Sequence, residues 1–515
     1  MAASDGYEPV PHRALITICT MGATLMQALD QTIANVALPY MQGSLSASSD
    51  EITWVLTSYI TAAAIMTAPV GWFAGRFGRK RFFITCLVGF TITSMMCGAA
   101  QSLPQMVLFR VLQGCFGAAL VPLSQATMLD IYPPEKRGSA MAIWGIGVMI
   151  GPILGPTLGG YLTELYNWRY VFYINLPFGI LAVLGLMFFM PRTRGQSSMR
   201  FGWLGFTVLS MGIGGLQLVL DRGQDQDWFS SREIIVECVL GCLGAYLFIV
   251  HLVTAQRPFI RPNIFRDRNF STGMAMMFAV GTILVSSSAL MAPWLQNLAN
   301  YPVATAGLVM APRGIGTMAA MVFAGRFSNR IDPRLLMGAG LLMLCWSLWV
   351  MTGWTPDITE REVAMVIVVQ GAGLGLVFIP LQVLAFATLP VALRTDGASL
   401  FSLFRNIGAA VGVSITSTLL ARNTQALHSE IGAYVNPFNR ALQHGAAQHM
   451  WDATHAHGAA MLDQVVNQQA QIIAYIDDYR MMIFTTAPAL LLLLLMRRPR
   501  IVAPAAPGES HAAMD

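Results

Sequence analysis

Asp30 stands nine residues before Pro39 inside an apolar run, with Gln31, Thr32 and Asn35 beside it. At 1.5 Å per residue it lies roughly 13 Å from the end of the helix that run must form. An Asp at the centre of a membrane helix costs about 2.5–3.5 kcal/mol against a return of about 0.3–0.6 kcal/mol per Leu or Ile, so this carboxylate offsets about six apolar residues. A charge kept at that cost marks a site. The chemistry open to it is proton binding and release, because the ionisation of a carboxylate away from water is set by its neighbours. Arg110 is the matching cation, about six positions into its own apolar run and at similar depth. Arginine keeps its proton, so it acts only by holding or releasing a carboxylate, which would couple protonation of Asp30 to whatever else Arg110 touches. The plainer readings are a locked ion pair and carbonyl bonding for packing. Arg313 and Arg405 are also deep, with no acid opposite, and either attract anionic groups of a ligand or bond freed carbonyls. Gln31, Thr32, Asn35, Gln113, Asn175, Arg313, Gln370 and Arg405 together form the candidate lining of a substrate cavity.

Two backbone motifs accompany these side chains. Gly147, Gly151, Gly155 and Gly159 recur every four residues, with Pro152, Pro156 and Gly160 interleaved. That ladder flattens one helix face for close backbone approach, and the prolines remove hydrogen bonds and bend the helix. The loop from Gly71 to Arg81 joins sharp-turning glycines, Gly71 and Gly78 among them, to the basic Arg76 and Arg79, and is the candidate gate loop. No metal, disulfide or enzymatic chemistry is expected: the seven cysteines lie in apolar runs without a CxxC pair. The histidines at 428, 444, 449, 455 and 457 read as solvated surface, and no nucleophile or paired acids gather at one face.

The elements that must carry these residues are membrane helices. The 515-residue chain is 55% hydrophobic and 11% charged, too little charge to coat a soluble fold. Fourteen windows of about 20 apolar residues begin near positions 14, 51, 82, 105, 139, 170, 201, 233, 270, 303, 334, 362, 396 and 477. With the N-terminus cytoplasmic, 21 of the 31 Lys and Arg fall on the cytoplasmic side, 7 opposite and three, Arg110, Arg313 and Arg405, inside spans. Positive charge therefore places both termini in the cytoplasm. The first run is too long for a cleaved signal core. Phe73-Ala74-Gly75-Arg76-Phe77 recurs as Phe323-Ala324-Gly325-Arg326-Phe327, 250 residues on, and Gln113-Gly114 recurs as Gln370-Gly371, 257 on. Echoes in the same order imply duplication of a six-helix half, with two helices inserted between the copies. The expected layout is a cytoplasmic N-terminus (1–13), an N-terminal half (14–190), inserted helices (191–269), a C-terminal half (270–496) containing an outer loop at 422–476, and a cytoplasmic tail (497–515).

Over nearly its whole length the chain resembles the fourteen-span drug:proton antiporters of the major facilitator superfamily, EmrB-type exporters in particular. The resemblance rests on the span from Leu29 to Pro39, the loop from Gly71 to Arg81, Arg110 to Gly114, Gly147 to Gly160, Trp168-Arg169 through Asn175 and Pro177, and the turn from Leu220 to Phe229. It implies an all-α major facilitator fold in the bacterial inner membrane and export of lipophilic toxic compounds in exchange for protons. Asp30 would be the proton carrier, the proton gradient the energy source, and no cofactor would be needed. It also implies a tripartite pump with a periplasmic EmrA-like adaptor and a TolC-like outer-membrane channel, for which the 422–476 loop is the candidate docking element. The acid usual in the family at the position of Gly75 is missing, which leaves open what the gate loop would engage. The competing expectations are a stand-alone exporter of an endogenous metabolite, an importer, or a polytopic enzyme.

Overall fold

The computed structural model describes residues 10–193, 195, 201–256, 258–327, 330–435 and 455–497, and these contain helices and no strand. In chain order the long helices are α1 (Arg13–Ser44), α2 (Trp54–Thr67 with Val70–Phe77, bent by 57°), α3 (Arg79–Ala99), α4 (Leu103–Ile131), α5 (Arg137–Leu165), α6 (Tyr170–Phe189) and α7 (Trp203–Arg222). There follow α8 (Arg232–Thr254), α9 (Arg268–Leu298), α10 (Thr305–Phe327), α11 (Pro333–Met351), α12 (Glu360–Ala387), α13 (Arg394–Ala433) and α14 (Ala456–Leu495). Eleven are long and apolar enough to cross a membrane, and α2 makes a twelfth if its two arms are one span. The sequence windows predict fourteen. The two beyond that tally, α1 and α5, are 32 and 29 residues long. Buried Thr17, Thr20, Thr24, Gln27 and Asp30 make α1 polar for its length.

Helix ends follow local chemistry. Thr359 and Glu362 form a reciprocal capping box at α12, and the Asp267 carboxylate accepts the Phe270 amide at the start of α9. Gly78, at φ 85°, turns the chain between α2 and α3, a conformation that favours glycine. Asp396 lies within the first turn of α13, behind the cap residue Leu393.

Helices pair in the same way in the two halves. Thr32 Oγ1 donates to the Gly151 carbonyl (3.2 Å) where α1 meets α5, and Thr282 Oγ1 donates to the Gly408 carbonyl (2.9 Å) where α9 meets α13. These pairs are related by the offsets of 250 and 257 seen in the sequence repeats. Between the halves, α7 and α8 form a hairpin whose backbones approach at Gly215 and Gly241. It is anchored on α2 by a hydrogen bond from Thr57 to Asp221 and by Arg222 lying 4.5 Å over the Trp54 ring.

α13 and α14 are 40 residues each. At 1.5 Å per residue each runs about 60 Å, twice the roughly 30 Å hydrocarbon core. Their outer parts continue the span helices through much of the predicted outer loop and meet at His428 Nε2 and Asp463 Oδ1, 2.9 Å apart. Residues 436–454 of that loop lie outside the described residues.

Candidate functional site

Asp30 and Arg110 meet in the interior of the N-terminal half, both at 0% exposure. Arg110 Nη1 donates to Asp30 Oδ2 at 2.7 Å and to Gln113 Oε1 at 2.9 Å, while its Nε donates to the Val55 carbonyl at 2.9 Å. Its guanidinium carbon lies 4.3 Å from the Tyr59 ring centroid, a further favourable site for a cation. Asp30 Oδ1 accepts from Gln113 Nε2 (2.8 Å) and Asn175 Nδ2 (3.3 Å). Asn175 also donates to Ser94 Oγ, and Ser94 to the Phe172 carbonyl. Five helices, α1 to α4 and α6, thus converge on one carboxylate. Among the described residues Arg110 Nη2 has no hydrogen-bond partner. Such a buried pair is costly to desolvate and costly to break, so its two states differ sharply in energy.

The other face of α1 lies on the glycine ladder. A Cβ at Gly151 would sit 2.5 Å from the Ala28 Cβ, and one at Gly159 would sit 3.1 Å from the Ile33 carbonyl oxygen. Gly147 faces Met21, Gly155 faces Thr32, and Gly160 faces open space. The α5 backbone is helical throughout, and the side chains of Pro152 and Pro156 lie outside the described residues.

The two halves touch at the end of the bundle that carries the basic loops. Of the predicted gate loop only Gly78 is a turn, since Gly71 and Arg76 lie in α2 and Arg79 opens α3. Arg79 and Arg394 of α13 both donate to Asp130 at the end of α4, the second at 2.7 Å, and Arg79 Nη2 reaches Thr395 Oγ1 at 3.1 Å. Gly71 lies directly against the Asp396 side chain, and Asp396 Oδ2 is 3.8 Å from Arg261 Nε. Arg76 is half-buried. The segment from Gly71 to Arg79 thus meets acids of two other helices, Asp130 of α4 and Asp396 of α13. Deeper in, Gln125 Nε2 donates to Gln382 Oε1 across the interface, and the Trp144 ring stacks on Phe378 at 6.2 Å. In the second copy of the motif, Gly325 packs against Gly138 and Ala142 of α5.

The expected cavity residues are not brought into one place. Gln113 and Asn175 belong to the Asp30 pocket, and Thr32 to the α1–α5 contact. Asn35 is exposed and Gln31 half-buried. Gln370 is buried in the C-terminal half with its Oε1 unpartnered among the described residues. Arg313 is tied to α9, donating to Ser288 Oγ, Ser287 Oγ (2.8 Å) and the Leu284 carbonyl (3.2 Å). The half-buried Arg405 has no hydrogen-bond or ion-pair partner among the described residues. Sequence reasoning missed Asp130 and Gln125. One signal was available, since Gln125 and Gln382 are separated by 257 residues, the repeat offset itself.

The chain matches the Major Facilitator Superfamily over residues 20–413. It is similar to the probable multidrug resistance protein EmrY of Escherichia coli K12, 34% identical over 472 residues that span 90% of this chain and 92% of that protein. The multidrug export protein EmrB of the same strain is 35% identical over 428 residues, 82% of this chain and 83% of that one. The fatty acid resistance protein FarB of Neisseria gonorrhoeae is 34% identical over 474 residues, 91% and 93% of the respective chains. Among solved structures, the human organic anion transporter MFSD10 (TETRAN) superposes with a TM-score of 0.60 at 15% identity, covering 94% of this chain and 99% of that one.

Proposed function

We propose that this chain, which belongs to the Major Facilitator Superfamily and within it to the EmrB-type multidrug exporters, expels lipophilic toxic compounds in exchange for protons. The exchange is read from one observation above all: Asp30 and Arg110 form an ion pair at 0% exposure, with Gln113 bonded to both partners. Protonating Asp30 would remove the charge that holds Arg110. The guanidinium would then be left to the Val55 carbonyl, Gln113 and the Tyr59 face. Because α1 also bears on the glycine ladder of α5, a change of fit at Asp30 is felt along the α1–α5 contact.

In this reading α1 and α5 also cross the membrane, giving fourteen spans. The basic end faces the cytoplasm with both termini, and the bundle is drawn closed on that side. The protein sits in the inner membrane as the inner component of a tripartite pump with an EmrA-like adaptor and a TolC-like channel, towards which α13 and α14 project. The names of relatives, a multidrug export protein and a fatty acid resistance protein, support export over import.

Asp30→Asn in proteoliposomes is expected to abolish substrate-stimulated proton flux while the protein still elutes as a folded monodisperse species. The variant strands a buried cation and loses at most about 3–5 kcal/mol of stability, tempered by the three partners Arg110 retains. Normal coupling in a folded Asp30→Asn protein would remove Asp30 from the mechanism. Uptake into inverted but not right-side-out vesicles is the expected direction.

A further inference from the structure

Two carboxylates among the described residues have 0% exposure, Asp30 and Asp478. Asp30 has three side-chain partners. Asp478, on α14, has none among the described residues: neither Oδ1 nor Oδ2 is hydrogen-bonded. Among the described residues its surroundings carry no counter-charge. The neighbouring charge that acts on it is Asp477, which turns to Arg480 at 3.2 Å. The flanking Tyr475 and Tyr479 are themselves buried, Tyr479 edge-on to Trp354 with ring centroids 6.5 Å apart. Of the helices packed on α14, none of α9, α11 and α13 sets a charged side chain against Asp478 among the described residues.

An ionised carboxylate without a partner is strongly disfavoured in such a place, and the negative Asp477 next to it adds repulsion. A space that could hold water is nonetheless one helical turn away. A cavity of about 520 Å3 opens between α9, α13 and α14, with Pro293, Asn297, Thr416, Gln425, Gln471 and Tyr475 on its walls. Asp478 is seven residues beyond Gln471 and three beyond Tyr475, so the 3.6-residue period puts it on the same face of α14, just below the lining. The amide and hydroxyl groups of those walls suit water.

We propose that Asp478 is a second proton-binding site, in the C-terminal half, which holds its proton in this conformation and exchanges it through the cavity between α9, α13 and α14. One O–H bond forms on a carboxylate oxygen as a hydronium in the cavity gives up a proton and is left as water, and the same bond breaks, its proton returning to water, when movement of α14 wets the group. Only the role of this site in transport rests on the proton-exchange reading; its protonation does not.

The test uses the full-length protein. Infrared spectra at neutral pH are expected to show the carbonyl stretch of a protonated carboxylic acid that is lost in Asp478→Asn, kept in Asp30→Asn, and restored at a shifted position in Asp478→Glu. Persistence of that band in Asp478→Asn, or its absence from the unmodified protein, overturns the proposal. Asparagine matches the size and neutrality of the protonated acid, so the variant is expected to fold with an unchanged Tm. Proton release on substrate binding, followed with a pH indicator in weak buffer, is expected to fall in Asp478→Asn to about half if the two carboxylates contribute equally; release equal to that of the unmodified protein overturns the transport role. Release from no form at all, with the band still lost in Asp478→Asn, would sink the exchange reading and leave the protonated site standing.

Discussion

Arg313 and Arg405 bear the same charge inside spans and meet opposite fates. Arg313 spends its donors on Ser287, Ser288 and the Leu284 carbonyl of α9, so it is part of the scaffold. Arg405 has no partner among the described residues, and an unpaired cation inside a membrane helix is retained only at a cost. Arg313→Ala is therefore expected to lower stability by about 1–3 kcal/mol, seen as a drop in Tm for every substrate alike. Arg405→Ala is expected to leave Tm unchanged and to impair export of anionic lipophiles more than that of neutral ones. Equal loss for both substrate classes in an efflux assay would count against a charge-reading role. At this scale the sequence was informative wherever a charge interrupts an apolar run, which is how Asp30, Arg110, Arg313 and Arg405 stand out. Asp478 could not be seen that way. It follows Asp477 at the polar margin of the last apolar window, and only the packing of α14 against α9, α11 and α13 reveals that one of two adjacent acids is sealed.

Helix pairs, rather than single helices, are the units that the glycine pattern specifies. The four-residue ladder of α5 reads in the sequence as a flat face, and the structure supplies its partner, α1, which no local pattern could name. A side chain at Gly151 must displace Ala28 or the α1 backbone, so Gly151→Val is expected to cost about 1–3 kcal/mol and to slow transport. Gly160 faces nothing within 4 Å, so Gly160→Ala is expected to be neutral or to gain up to about 1 kcal/mol from helix propensity. Thermal melting of the two variants side by side checks this; similar losses in both would mean that the glycines serve flexibility rather than close contact. Helix ends were less legible than helix faces. Hydropathy falls off near position 422, yet α13 runs on to Ala433, and this continuation meets α14 through His428 and Asp463. Apolar length reports where lipid ends, and backbone hydrogen bonding does not stop there.

Apart from the α7–α8 hairpin, the molecule is built of two halves that meet where the sequence repeat brings equivalent residues together. Gln125 and Gln382, one repeat offset apart, hydrogen-bond across the interface, and a contact between equivalent residues lies on the axis relating the halves. An interface built so can open at one end when the halves tilt away from that axis. What fixes the present arrangement is then the charged cluster off the axis, in which Asp130 of one half is shared by Arg79 and by Arg394 of the other. The duplication was legible in the repeated motifs, but this cluster was not, because its acid comes from α4 and not from the gate loop. With side chains 9–21% exposed, these bonds are partly shielded from water. Asp130→Asn weakens both at once and is expected to remove about 1.5–3 kcal/mol from the closed arrangement, roughly a 10- to 150-fold shift in population. Single cysteines placed at Gln125 or Gln382 should then label faster with a membrane-impermeant thiol reagent added from the basic end. Locking that end by a disulfide between Gln125→Cys and Gln382→Cys should halt transport until a reductant is added. If labelling of the Asp130→Asn background is unchanged and the cross-linked protein still transports, the cluster is surface decoration and the halves do not separate there.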